Sequence, residues 1–524
     1  MKNKISKLIL ILNTVKYLRW TQLFYQVYYR LKKNEFLVNR ILYLNLNKEI
    51  KFRCHPVVMH KYLGKKKFRL LNIEHQFNSI INWDCMSYGK LWNYNLEYFD
   101  FLQQDEISVE ERKALIYSFY DYSIKKRRTL EPYPVSLRAI NIIKFTIKYN
   151  LDEVFLNYVF QELKYLNRNY EYHLLANHYL ENAFALILGG AFFTKKKWLH
   201  KAKSIIENEL NEQILADGAH FELSPMYHKI IFFRLLELID WYSDYDLCDQ
   251  EFLRECREKA SLMRDWLENI SFSTGDIPLF NDSANHIAFE NSILLHYADD
   301  VEVFRCNMRL GLSGYRSFKN SKYEIKIDFA EIGAQYQPGH AHADALSFIL
   351  YCQDNPLFIE KGTSTYDPNM RRHEERSTNS HNTVVVNEYN QSQVWGGFRV
   401  GKRANTYILK DRKDYLEAMH DGYKGLKHYR SFNLNESNII ITDKIEGGKN
   451  ICKAYFHLDK KIEVINYNEN KKKIDLSMNV QLHFENAKTI EIEDYEFSTT
   501  FNEYKNAKRI IVHFENKLVS TIQF

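Results

Sequence analysis

The sequence predicts an α+β molecule of two folded domains, a helical bundle or toroid followed by an antiparallel β-sandwich, and three observations carry that expectation. The chain has 524 residues, 45% of them hydrophobic and only 8 of them proline, so it is too long for one ordinary core and too apolar to stay unfolded. Between about 109 and 312, apolar residues recur at intervals of three and four, the period of an amphipathic helix. Beyond 321 the texture changes to alternating or β-branched runs separated by Asn, Gly, Asp and Lys, which reads as strands and turns.

The first segment, 1–80, opens with Lys2 and Lys4 ahead of the apolar run Ile5 to Leu12. It looks like the start of a signal peptide, yet Asn13, Lys16 and Arg19 follow and no small-x-small cleavage site appears. The run is also too short to span a bilayer. Tyr17 to Lys33 mixes Leu, Trp, Phe and Tyr with Lys and Arg at roughly helical spacing. A packed amphipathic helix, a helix lying on a membrane surface and an export signal are the three readings. The expected location is the cell envelope or periplasm, with a cytoplasmic or membrane-surface one left open.

From 81 to 315, helices are expected over Ala114 to Tyr122, Ser136 to Tyr149, Val154 to Leu166, Tyr179 to Phe193, Ile230 to Tyr242 and Phe252 to Ile270. So many successive helices suggest a bundle or toroid. From 316 to 524, strands are expected over Tyr323 to Ile332, Leu346 to Cys352, Thr383 to Val386, Ile439 to Thr442, Lys473 to Phe484 and Arg509 to Phe514, as in an antiparallel sandwich. The boundary falls near 310 to 322.

Composition narrows the function. The formal charge of +6 is the small difference between 72 basic and 66 acidic residues, which gives no extended surface for nucleic acid. Seven scattered cysteines, Cys54, Cys85, Cys248, Cys256, Cys306, Cys352 and Cys452, contain no C-x-x-C pair, so neither a disulfide framework nor a thiolate zinc site is expected. The 37 Tyr and 34 Phe serve mainly the core, although aromatic rings are also platforms for sugar faces.

Four clusters put His, Asn and Tyr where acid/base chemistry on an acidic polymer would use them. They are Ala176-Asn177-His178, Ser224-Pro225-Met226-Tyr227-His228, Gly339-His340-Ala341-His342-Ala343-Asp344 and Ser380-His381-Asn382-Thr383. Each has a plain alternative: Asn177 could cap a helix, Tyr227 could be a core tyrosine, and His340 and His342 could be surface residues. If the third cluster is a strand, His340, His342 and Asp344 share one face. With Glu360 and His381 nearby in sequence, that face could hold Zn²⁺ or a similar divalent ion. Arg376 could be a structural ion pair or a clamp for an anionic sugar. Asp276 and Asp282 read as loop chemistry, and are the only compact carboxylate pair that suggests a glycosidase.

Taken in order, these motifs resemble the heparinase II/III-like polysaccharide lyases and related alginate lyases. Further matching text lies in Gly362-Thr363-x-x-Tyr366, Arg376-Ser377-Thr378-x-x-His381-Asn382-Thr383, Leu91 to Asp100 and Glu131 to Arg138. The resemblance runs from about 80 to 400 and more weakly to the end. It implies an incomplete α/α toroid followed by an antiparallel β-sandwich, and β-elimination at a uronate in an anionic polysaccharide.

By motif, Asn177 and His178 would neutralise the uronate carboxylate. Tyr227 would act as base, acid or both, with His340 as its partner on the other wall and the epimer deciding which takes the proton. Tyr366, His228 and Arg376 would contact substrate. A structural divalent metal would sit on His342, Glu360 and His381, although Glu360-Lys361-Gly362 departs from the family's Asp-Pro-Gly. The retained basic-aromatic start resembles members associated with exopolysaccharide or capsule synthesis. A glycoside hydrolase and a non-catalytic polysaccharide-binding or assembly protein are the competing readings.

Overall fold

The computed structural model describes residues 2–32, 43–53, 61–448 and 450–524; Lys33 and Cys54 lie outside them. Two helices, α1 (Lys2–Val15) and α2 (Trp20–Leu31), precede a small hairpin of Lys67–Leu70 and Ile73–Gln76. The helical half then runs through α3 (Lys90–Glu97), α4 (Val109–Lys125), α5 (Pro132–Lys148), α6 (Phe155–Leu166), α7 (Ala176–Phe192), α8 (Lys196–Gln213), α9 (Pro225–Ser243), α10 (Gln250–Ile270) and α11 (Asn291–Asp300).

The mixture of 35% helix and 23% strand agrees with a toroid joined to a sandwich. Helix α7 is buried almost all round, which explains its weak amphipathic signal. It packs closely enough on α8 that a Cβ at Gly190 would meet the Leu199 backbone nitrogen at 2.7 Å, so only glycine fits there. Helix α8 is highly charged and escaped the sequence reading; it buries a single stripe, Leu199, Ala202, Ile205, Ile206 and Leu210.

The β half is antiparallel throughout its described strands. Its largest sheet orders Thr406–Asp411, Tyr415–His420, Lys427–Leu434, Asn438–Glu446, Lys517–Gln523, Gln481–Glu485, Lys473–Leu476 and Val464–Asn468 side by side. A four-stranded sheet of Thr489–Phe497, Lys505–Phe514, Cys452–His457 and Val384–Val386 joins it around a core that includes Phe348, Phe432, Phe456 and Ile510. Another four-stranded sheet, Tyr315–Lys319, Tyr323–Asp328, Phe348–Cys352 and Asn355–Phe358, completes the half. Two expected strands change: 473–484 breaks into two around a turn at Ser477–Asn479, and the run from Tyr323 ends at Asp328 rather than Ile332.

Three contacts lock the halves together. Phe501, between two sandwich strands, is buried in the helical core. Trp266, Ile270, Phe272 and Phe280 pack with Tyr315 and Ile349 at the junction. Gln22 of α2 is 1% exposed, and its amide donates to the carbonyls of Leu174 in the helical half and Tyr336 in the β half, both at 3.2 Å. That bridge stands beside the start of α7, which carries Asn177, and the loop that carries His340.

Candidate active site

A cleft of about 1300 Å³ opens at the junction, lined by Asn177, His178, Tyr227, His340 and Tyr366, with Tyr94, Tyr98, Tyr133 and Phe398 among its aromatic walls. Thr14, Leu18, Gln22, Gln26 and Tyr29 bring the N-terminal segment into the same lining. Five predicted residues therefore meet in one place.

Local sequence explains how each is held. Ser224 caps α9, its Oγ accepting from the Tyr227 nitrogen at 3.2 Å, and Pro225 fills the first helical position where no N–H is needed. Tyr227 is thereby fixed in the first turn. Leu175 and Ala176, at φ 61° and 52°, lead into Asn177; Leu223 at 56° leads into Ser224, and Asn281 at 54° into Asp282. Left-handed backbone at non-glycine residues costs about 1–3 kcal/mol each and concentrates where function requires an unusual chain path.

Asp282 organises the centre. It is fully buried and receives Arg372 through both guanidinium ends, Nη2 to Oδ2 at 2.6 Å and Nη1 to Oδ1. Burial raises its pKa, but Arg372 and the hydrogen bonds of His340 and His342 outweigh that and hold it well below the usual carboxylate range. His340 Nδ1 lies 2.9 Å from Oδ2 and His342 Nε2 lies 2.8 Å from Oδ1. Because an ionised carboxylate only accepts, both ring nitrogens carry their protons. With its Nε2 proton so fixed, the neutral His342 ring keeps its lone pair on Nδ1, and a neutral His340 ring would keep its own on Nε2.

Tyr227 and His340 come from different halves, yet their ring centroids are 3.8 Å apart at an interplanar angle of 30°. No sugar ring fits between them, which corrects the expectation of opposite walls. The Tyr227 and Tyr366 hydroxyls are 3.3 Å apart. Burial, and then Tyr366 and Tyr133, push the Tyr227 phenol well above its ordinary pKa, so it is protonated at neutral pH.

His178 Nδ1 bonds Glu171 Oε1 at 3.1 Å, and its ring lies tilted against that of Tyr133, with centroids 4.4 Å apart. Burial pulls its pKa down, but the Glu171 carboxylate more than compensates and the net shift is upward. Asn177 Nδ2 donates to both oxygens of Glu222, at 2.8 and 2.9 Å. Glu222 is 1% exposed and stands 3.8 Å from His340 Nε2. Neither Glu171 nor Glu222 belongs to a motif, and no sequence signal singled them out.

Other expectations are corrected. His228 is fully buried, bonding the Met263 carbonyl and accepting from the His220 nitrogen, so it supports α9 and touches no cleft. Arg376 is also fully buried and donates to the carbonyls of Ala341 and Gly397; it orders the loop that carries His340 instead of clamping a sugar. Asp276 is exposed on a turn and accepts from Thr274, so it forms no catalytic pair with buried Asp282. The segment 339–344 is a loop, not a strand, which lets His340 face the cleft while His342 turns inward.

His342, Asp344 and His381, all buried, each offer a ligand atom within 4.8 Å of the others. Glu360 was expected as the third ligand; its Oε2 instead bonds His381 Nδ1, which places it behind that histidine. Three atoms, His342 Nδ1, Asp344 Oδ2 and His381 Nε2, are buried without a hydrogen-bond partner. Burial lowers the His342 and His381 pKa values to about 3 and about 4, so both rings are neutral. Two neutral imidazoles and a carboxylate fit a zinc-like donor set.

Comparison with known proteins agrees with this architecture. The family model described as Heparinase II/III N-terminus matches residues 88–310, and that described as Heparinase II/III-like, C-terminal matches 306–524. A heparin-sulfate lyase of Bacteroides stercoris is 26% identical over 311 residues, covering 53% of this chain and 45% of that protein. The chain spans about half the length of the curated relatives it matches. A heparinase III structure superposes with a TM-score of 0.67 at 16% identity, covering 95% of this chain and 88% of that one. A mutant heparan sulfate lyase of Pedobacter heparinus gives 0.61 at 18% identity, covering 88% and 81%.

Proposed function

Because this chain belongs to the heparinase II/III-like family, we propose that it is a polysaccharide lyase that cleaves a uronate-containing anionic polysaccharide by β-elimination around Tyr227 and His340. The observation that carries the reading is the Asp282–His340–Tyr227 arrangement. Asp282 fixes the His340 proton on Nδ1, leaving Nε2 as a base beside a protonated phenol.

The C5 proton of a uronate is too weakly acidic to remove until the adjacent carboxylate is neutralised, because the carbanion must delocalise into it. His178, kept cationic by Glu171, would do this, with Asn177 beside it in the lining. His340 Nε2 then takes the C5 proton, the C4–O4 bond breaks as the C4–C5 double bond forms, and Tyr227 protonates the departing O4. Relatives are named heparin-sulfate lyases, so a glycosaminoglycan-like polymer heads the substrates to test, with alginate-like and bacterial capsular polymers beside it.

Ring contact between Tyr227 and His340 supports a base and an acid acting on one face of the sugar. That suits a uronate whose C5–H and O4 share a face, as in glucuronate. Matched polymers differing only in the C5 epimer test this: the glucuronate form should be cleaved faster. Preferential cleavage of the iduronate form would reverse the assignment.

A structural divalent ion, zinc by its donor set, would be held by His342, Asp344 and His381 and would cross-link the loop that presents His340. Glu360 would orient His381.

The N-terminal helices offer an attachment to an anionic lipid surface. Trp20, Phe24, Val27 and Leu31 are 86%, 63%, 59% and 80% exposed on one face of α2, opposite the face that buries Gln22. Leu8, Ile9 and Leu12 of α1 are exposed as well, and residues 2–32 hold seven Lys or Arg and no acidic residue. No helix among the described residues is long and apolar enough to cross a membrane, and an interfacial helix has this make-up. Sedimentation with phosphatidylglycerol vesicles, lost in Phe24→Glu, supports the attachment. Equal partition into phosphatidylcholine vesicles, or none into either, contradicts it.

A further inference from the structure

Most cations lining the cleft are already neutralised. Lys61, Lys90, Lys144, Lys148 and Arg234 each ion-pair with a carboxylate. Burial pulls the Lys229 amine down to about 8, which still leaves it mostly charged at neutral pH. Two arginines in the lining, Arg399 and Arg403, have no carboxylate partner among the described residues. Arg403 is the more unusual: it is only 8% exposed, and its Nε and Nη1 are buried without any hydrogen-bond partner.

Each guanidinium is carried on an aromatic ring. Arg403 lies 3.7 Å from the centroid of Tyr17, in the connection between α1 and α2, and Arg399 lies 4.7 Å from that of Trp395. Trp395 in turn donates to Thr14 Oγ1 at 3.1 Å. Stacking restrains a guanidinium plane while leaving its in-plane N–H groups free for an oxyanion. A buried guanidinium with unmade bonds is costly unless a ligand completes it. Thr14 and Leu18 close the same stretch of the lining, and they lie outside the regions matched by the family models.

We propose that Arg399 and Arg403, held by Trp395 and Tyr17, form an oxyanion subsite that binds a carboxylate or sulfate on a sugar flanking the one that is cleaved. The subsite rests on the polysaccharide reading above and adds a specificity element built by the N-terminal segment. Arg403 would contact substrate; Tyr17 would position it.

The test uses length-defined oligosaccharides of alternating glucuronate and N-acetylglucosamine, and heparan sulfate fragments of equal length. Arg403→Gln should raise KM about tenfold, equivalent to about 1.4 kcal/mol, with kcat nearly unchanged. Tyr17→Ala should move KM in the same direction. Weakening in both series identifies a flanking carboxylate, and weakening in the sulfated series alone identifies a sulfate. Because Arg403→Gln removes a buried unpaired charge, its unfolding temperature should be unchanged or higher.

Unchanged KM in both series or a lowered unfolding temperature would overturn the subsite. Calorimetric binding to Tyr227→Phe, with and without Arg403→Gln, separates the two levels. Arg403-dependent binding without any elimination by the wild type sinks the lyase reading and keeps the subsite. Elimination with Arg403-independent affinity sinks the subsite alone.

Discussion

A single carboxylate gives two neighbouring histidines different work. Asp282 accepts from His340 on one oxygen and from His342 on the other, so it aims one lone pair at the cleft and the other at the buried cluster. Asp282→Asn should abolish both settings and strand Arg372 in the interior, costing about 3–5 kcal/mol of stability; chemical denaturation measures it. Its pKa is depressed in the folded state, so its contribution is present above the ordinary value and is lost as pH falls through the folded one.

His178 has the opposite sign. Its raised pKa means that the stabilising charged form is fully present below the ordinary value of 6.5 and is lost as pH rises through the folded value. Glu171→Gln should therefore shift the alkaline limb of kcat/KM to lower pH, read from a pH–rate profile. An unmoved limb would mean that His178 does not act as a cation.

At the scale of elements, the sequence shows the residues but not their directions. Asn177, His178, Tyr227, His340 and Tyr366 were legible from motif order, and all line one cleft. His228 and Arg376 carry equally polar side chains in the same motifs, but adjacent residues on a helix point in different directions and a buried guanidinium can spend its donors on carbonyls. Asp282 read as turn chemistry because its partners, Arg372, His340 and His342, lie 90, 58 and 60 residues away. Glu360 as the third ligand followed from the resemblance; its Oε2 is spent on His381 Nδ1, while Asp344 stands beside His342 and His381.

Helix α2 also acts as an element, since Gln22 ties both halves beside the candidate site. Gln22→Ala should leave two carbonyls without their donor and cost about 1–3 kcal/mol, measured by denaturation. It should also lower kcat/KM by loosening the contact of Tyr227 with His340. Full activity would confine α2 to a stabilising role.

For the whole molecule, the period change from helix to strand gave the two-part architecture, because binary patterning follows from which face each element buries. The site lies where the parts meet, so its geometry depends on their docking. The proposed divalent ion on His342, Asp344 and His381 would order the loop that presents His340 to that junction. Dialysis against a strong chelator should lower the unfolding temperature and slow turnover, with both restored by Zn²⁺. His342→Ala that retains its metal content would remove that residue from the ligand set.

The central claim is elimination by an acid/base pair in contact. Product ultraviolet absorbance, counted against new reducing ends on a glucuronate-containing polymer, tests it most directly. The account requires a C4–C5 double bond for every chain cut, with the signal falling by two or more orders of magnitude in Tyr227→Phe while its unfolding curve stays that of the wild type. Chain shortening without that absorbance, or undiminished elimination in Tyr227→Phe, would contradict it.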